Sequence, residues 1–126
     1  MLNDYPVFAS LPSKDLERSK EFYTKKLGLK AVPMPMDDPV FYGAGYGTRL
    51  VVYQKDNANT DHEHTACGFM VENIEDLVKY LVQKGVVFED YDMPNLKTVD
   101  HLVDNDGMKA AFFKDPDGNI LSINQM

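Results

Sequence analysis

A strand, an amphipathic helix closed by glycine, and a run of short strands occur twice in this chain, and that recurrence limits its possible folds more than any other feature. In the first pass Tyr5 to Leu11 predicts a strand, and Ser13-Lys14-Asp15 supplies capping oxygens for a helix from about Leu16 to Leu27. Leu16, Phe22, Tyr23 and Leu27 form the apolar stripe of that helix, and Gly28 stands where a C-terminal cap belongs. Strands are expected over Leu29 to Met34, Val40 to Ala44 and Arg49 to Gln54, separated by Pro/Asp and Gly-Tyr-Gly punctuation. In the second pass Thr65 to Val71 predicts a strand, and Asn73 is placed to cap a helix carrying Ile74, Leu77, Val78 and Leu81. Gly85 closes that helix, and strands follow over Val86 to Glu89, Met108 to Lys114 and Ile120 to Asn124. Asp15-Leu16 matches Asn73-Ile74 and Gly28 matches Gly85 at an offset of 57 to 58 residues, a likeness of pattern that points to duplication.

The expectation is an α+β chain of two βαβββ modules, about 4–55 and about 64–126, within a single domain spanning 1–126. One helix for about four strands covers one face of a sheet, so the other face must bury or hold something, and a bent sheet around a cleft meets that requirement. Lys55 to Asp61 reads as a polar surface linker, and Tyr91 to Gly107 as a long loop of the kind that rims a site. Asp115-Pro116-Asp117-Gly118-Asn119 predicts a tight reversal, with Pro116 presetting φ and Gly118 tolerating positive φ. In the strand after it Leu121 and Ile123 share one face, while Ile120, Ser122 and Asn124 share the other.

At 126 residues the chain can bury roughly two-thirds of its unfolded surface without a disulfide or metal. Its single cysteine, Cys67, fits a reducing compartment, and the absence of a basic and apolar leader or a long apolar run predicts a soluble cytoplasmic protein. With 20 Asp and Glu against 13 Lys and Arg, the net charge of −7 opposes nucleic acid, and no stretch reaches the roughly twenty apolar residues of a membrane span, so neither nucleic acid nor membrane is an expected partner.

Asp15-Leu16-Glu17-Arg18-Ser19-Lys20-Glu21-Phe22-Tyr23 running into Leu27-Gly28-Leu29, with Phe113-Lys114-Asp115-Pro116-Asp117-Gly118-Asn119, resembles the vicinal-oxygen-chelate superfamily of glyoxalases, bleomycin-resistance proteins and extradiol dioxygenases. The resemblance covers essentially the whole chain. It implies a cupped, roughly eight-stranded mixed sheet around a cleft, helices on its outer face, and a homodimer. In metal-using members His or Gln from the first strand of each half and Glu from the last strand hold a divalent ion, which acts as a Lewis acid on the substrate's oxygens. The corresponding positions here fall at Phe8, Val51, Ala66 and Ser122, three hydrocarbons and an alcohol that make a poor ligand set. A shift of one residue brings in Val7, Ala9, Leu50, Val52, Thr65, Cys67, Leu121 and Ile123, among which Cys67 alone is a serious ligand.

The resemblance therefore implies a metal-independent, cofactor-free binding protein that sequesters a small organic molecule, as bleomycin-resistance proteins do. The expected binding residues are Phe8, Arg49, Val51, Ala66, Phe112 and Ser122. Alternation sends Arg49 and Tyr53 to the same face as Val51, where a guanidinium would favour an anionic ligand. Phe112 and Phe113 must face opposite ways, one to the core and one to the cleft. An isomerase, lyase or dioxygenase with a relocated site using His101, Cys67 or Arg49 is the second expectation, and an interaction module with a filled cleft the third. His62 and His64 read as a solvated pair leading into a strand, Gly43 to Gly47 as hairpin punctuation, and Met34, Met36, Met70, Met93 and Met108 as adaptable packing or pocket lining.

Overall fold

The computed structural model describes residues 1–58 and 64–126. The chain is a mixed α+β structure divided into two compact units, Met1–Thr60 and Asp61–Met126.

The first unit runs β1 (Ala9–Ser13), α1 (Leu16–Glu21), β2 (Lys30–Val32), β3 (Val40–Gly43) and β4 (Arg49–Gln54). Its sheet has the order β1-β4-β3-β2, with β1 parallel to β4 and the remaining pairs antiparallel. Asp15 caps α1, its side chain accepting from the Glu17 and Arg18 amides, and Ser13 Oγ accepts from Asp15 N at 3.1 Å. After Glu21 the helix widens into a π-type turn over Phe22–Lys26, in which Leu27 N donates to the Phe22 carbonyl five residues back. Gly28, at φ +76°, then turns the chain out of the helix. The core is Leu11, Phe22, Tyr23, Tyr42, Leu50 and Val52, all buried, with the Tyr23 and Tyr42 rings 5.3 Å apart.

The second unit runs β5 (Thr65–Met70), α2 (Ile74–Gln83), β6 (Phe88–Glu89), β7 (Asp92–Met93), β8 (Leu96–Lys97), β9 (Val103–Asn105), β10 (Met108–Lys114) and β11 (Ile120–Gln125). The order β5-β11-β10-β6 repeats that of the first unit, again with the first strand parallel to the last, and β9 shares the free edge of β10 with β6. The recurrence in sequence is thus a recurrence in strand order. Ile74, Val78 and Leu81 of α2 are buried together with Phe88, Ala111, Phe113, Leu121 and Ile123, and α2 packs on β10 and β11.

Three local expectations change. The first strand starts at Ala9 rather than Tyr5: its parallel pairing with β4 begins at Ala9 with Leu50, and the chain leading into β4 is the turn at Gly45–Gly47. The Tyr91 to Gly107 segment is not a plain loop: it holds the β7–β8 ribbon, turned at Pro94-Asn95, and β9, turned into β10 at Asp106-Gly107. Asn73 sits at the helix start without making a capping hydrogen bond; its backbone is left-handed at φ +51°, and Gln125 Oε1 instead accepts from Ile74 N at 2.8 Å. The Lys55 to Asp61 linker is described only to Ala58, which is buried. Among the described residues no helix is long and apolar enough to cross a membrane.

Candidate functional site

Register decides which side chains share a face. In the second unit Phe113 pairs with Phe88 and Leu121, and Leu121 with Cys67, which puts this row on the face covered by α2. The opposite face carries the row Glu89, Phe112, Ser122 and Gly68, with Ala110, Asn124 and Met70 in the next row. Phe112 is half-buried and Phe113 fully buried, as their alternation requires.

Phe112 meets Tyr91 edge to face at 5.7 Å between ring centres. Burial, then the nearby Glu89 carboxylate, pushes the Tyr91 hydroxyl above its ordinary pKa, so it is a neutral hydrogen-bonding group. Ser122 is 5% exposed, and its Oγ accepts from Asn124 Nδ2 at 2.9 Å. Both lie against the bare backbone of Gly68, where a Cβ would fall 2.8 Å from Ser122 Oγ. An aromatic pair therefore shares this face with one buried, oriented hydroxyl and with the Glu89 carboxylate.

In the first unit the face away from α1 carries Ser10, Val51, Phe41 and Val32 in one row and Arg49, Gly43 and Lys30 in the next. Val51 is buried, while Phe8, just outside β1, is 58% exposed. Arg49 is exposed, and its Nη1 donates to the carbonyls of Gly47 at 3.2 Å and Thr48 at 3.1 Å. Met34 and Met36, with Lys20, Val32 and Val40, line a pocket of 340 Å³ in this unit.

Among the six residues chosen from sequence, Phe112 and Ser122 are direct cross-strand partners, and Arg49 and Val51 share a face of β4. Ala66 falls where the β5–β11 register skips a residue, between the partners of Ile120 and Leu121, so Gly68 rather than Ala66 stands beside Ser122. Sequence reasoning missed Gly68, Glu89 and Tyr91. A glycine inside a strand, the usual mark of a close approach, was the available signal for the first. His62, with Asp61 and Glu63, lies outside the described residues.

A divalent ion does not fit this donor set. Phe8, Val51 and Ala66 offer carbon, and the Ser122 hydroxyl is already engaged by Asn124. Cys67 is turned to the α2 face, and burial pushes its thiol pKa up, away from the thiolate a metal requires. Among the described residues no three His, Cys, Asp or Glu side chains come together as a metal-holding group.

The family model described as Glyoxalase/Bleomycin resistance protein/Dioxygenase superfamily matches residues 6–123. No curated protein matches the chain. Among solved structures it is similar to UcmS2, at 22% identity and a TM-score of 0.73 over 95% of this chain and 96% of that one. It is similar to TnmS3, an antibiotic binding protein from Streptomyces sp. CB03234, at 22% identity and a TM-score of 0.71 over 96% and 94% of the two chains. A glyoxalase/bleomycin resistance protein/dioxygenase from Alicyclobacillus acidocaldarius matches at 20% identity and a TM-score of 0.71 over 97% and 91%. At these identities the likeness is one of fold.

Proposed function

The chain belongs to the Glyoxalase/Bleomycin resistance protein/Dioxygenase superfamily, and within it we propose that this protein binds and sequesters a small organic molecule without a metal ion. The observation that carries the reading is what stands at the four positions matched to the family's metal ligands, Phe8, Val51, Ala66 and Ser122. Carbon and one hydroxyl stand where the superfamily's metal-using members present imidazole and carboxylate, and a Lewis-acid role needs donors of that second kind. The face bearing Ser122 can still hold a ligand: Phe112 and Tyr91 give an aromatic corner for stacking, and Ser122 gives a hydroxyl fixed by Asn124. TnmS3, a fold relative, is an antibiotic binding protein, and the same class of task, capture of a compact organic molecule, suits this chain. In this reading the protein works as a cytoplasmic homodimer, each chain one domain of two modules.

Thermal unfolding against a library of aromatic metabolites and antibiotics, in protein purified without a tag, tests the proposal. A binder present at about 100 times its Kd stabilises the native state by roughly 2.7 kcal/mol. The proposal expects at least one such compound, an effect unchanged by EDTA, and its loss in Phe112→Ala. Stoichiometric divalent metal by elemental analysis, or stabilisation abolished by EDTA, would overturn it.

A further inference from the structure

A groove of about 790 Å³ runs between α2 and the segment 99–102 of the second unit, lined by Val78, Val82, Leu102 and Val99 with Lys79 and His101 among its polar groups. It lies on the helix side of the unit and shares no lining residue with the Phe112 and Ser122 face.

His101 is held there by an unusual turn. Val99 and Leu102 exchange backbone hydrogen bonds at 2.8 and 3.0 Å, and the two residues between them, Asp100 and His101, both have positive φ, +53° and +71°. Glycine or asparagine normally fills these positions, because a larger L side chain there costs on the order of 1 kcal/mol or more. Aspartate and histidine are among the side-chain-bearing residues that adopt positive φ most readily, so the turn can present the His101 ring. Its Nδ1 lies 2.9 Å from Asp90 Oδ1, and the ring stacks on Phe88 at 5.6 Å. Asp90 lines an adjoining cavity of about 470 Å³, which shares Asp100 and His101 with the groove, and does not itself line the groove. In the neutral ring a carboxylate on Nδ1 holds the proton there, which leaves Nε2 as the acceptor.

We propose that this groove is a second small-molecule site, for a neutral ligand with an apolar body and a hydroxyl or phenol whose proton is donated to His101 Nε2. The valines and Leu102 supply the apolar contact, and the volume suits a compact organic molecule. A neutral head matches the rim: Glu75 is ion-paired to Lys109, and Asp100 and Lys79 are of opposite sign, so no excess of one charge is there to draw in an ion.

The probes are 4-butylphenol and 4-butylanisole, which share a body but differ in the proton, titrated into the full chain and followed by backbone amide NMR. The expected result is saturable shifts at residues 78–82 and 99–102, with the phenol binding at least tenfold tighter than the anisole. Val82→Arg, at an exposed position of α2, should remove both. His101→Asn, which keeps the turn's backbone preference, should bring the phenol down to the anisole. Equal affinities in the unmodified protein, shifts confined to the Phe112, Ser122 and Gly68 face, or no shifts at all would each overturn the proposal, and the comparison of the two probes needs no variant to fold. Failure here leaves the sheet-face reading standing, since that reading is tested at other residues.

Discussion

Asn124 donates from Nδ2 to Ser122 Oγ at 2.9 Å, two residues apart on one face of β11, and the pair closes over Gly68. A methyl group at 68 would sit 2.8 Å from Ser122 Oγ and 3.1 Å from Asn124 Nδ2, so Gly68→Ala is expected to destabilise the protein by about 1–3 kcal/mol. Ser122→Ala removes the oxygen that clashes. The double variant should therefore be more stable than Gly68→Ala alone, since alanine itself suits a strand better than glycine. Urea unfolding of the four proteins measures the coupling; simple additivity would mean that the hydroxyl does not set the space at Gly68.

Tyr42 is fully buried, and its hydroxyl has no hydrogen-bond partner among the described residues. Removing an unsatisfied buried hydroxyl relieves a desolvation penalty, so Tyr42→Phe is expected to be neutral or to stabilise by up to about 2 kcal/mol. The pH dependence follows from the same burial. Desolvation, then the Glu17 carboxylate, raises the Tyr42 pKa from 10.0 to about 12. A raised folded-state value means that the native protein resists losing this proton more than the unfolded chain does. Its contribution is intact below pH 10 and falls away as pH rises toward 12. Denaturation curves from pH 9 to 12 should show a shallower alkaline loss in Tyr42→Phe than in the parent.

How far the sequence discloses this fold depends on whether the signal is local. The Asp15 cap, Gly28 and the Asp115 to Asn119 turn are local, and each is where the residues put it. The β4 limits agree at both ends because the Gly45 to Gly47 turn marks its start and polar Lys55-Asp56 its end. The β9–β10 hairpin had a local signal too: Asp106-Gly107 is a two-residue turn with φ of +55° and +88° between Asn105 and Met108, but β9 before it is short and polar, so periodicity concealed that arm. What could not be read locally is register. Ala66 and Gly68 are two apart and alternate alike, and only the skip between Ile120 and Leu121 decides which stands beside Ser122. The same limit applies to His101, whose partner Asp90 is 11 residues away and whose groove is completed by α2.

The start of α2 gives a third prediction. Its first amide is satisfied from 51 residues away, Ile74 N donating to Gln125 Oε1 at 2.8 Å, so the last strand caps the helix. Gln125→Ala should cost about 1 kcal/mol, the usual value of a lost cap. Asn73 contributes differently, by tolerating φ of +51°. Asn73→Ala should cost about 1–2 kcal/mol through left-handed strain, while Asn73→Gly should remain close to the parent. Equal losses in Asn73→Ala and Asn73→Gly would show that the Asn73 side chain, and not its backbone, is what matters.

The Asp115 turn supplies the fourth. Asp115 Oδ1 accepts from the Asp117 and Asn119 amides, each at 2.9 Å, and Oδ2 accepts from Asn119 Nδ2 at 2.8 Å, all in a buried setting. The backbone adds Gly118 N to Asp115 O at 3.0 Å and Asp115 N to Asn119 O at 2.9 Å, which fix the angle at which β10 turns into β11. Asp115→Ala strips three buried donors of their acceptor and is expected to cost about 2–4 kcal/mol. Asp115→Asn keeps one carbonyl oxygen for the two amides but turns an NH2 group toward Asn119, so its loss should be intermediate. Because this hairpin presents both Phe112 and Ser122, hydrogen exchange along β10 and β11 should accelerate in the same order, alanine before asparagine before the parent. If Asp115→Ala unfolds within about 0.5 kcal/mol of the parent, a carboxylate clamp does not hold the turn, and the rigidity of the Phe112 and Ser122 face must come from the strand pairing alone.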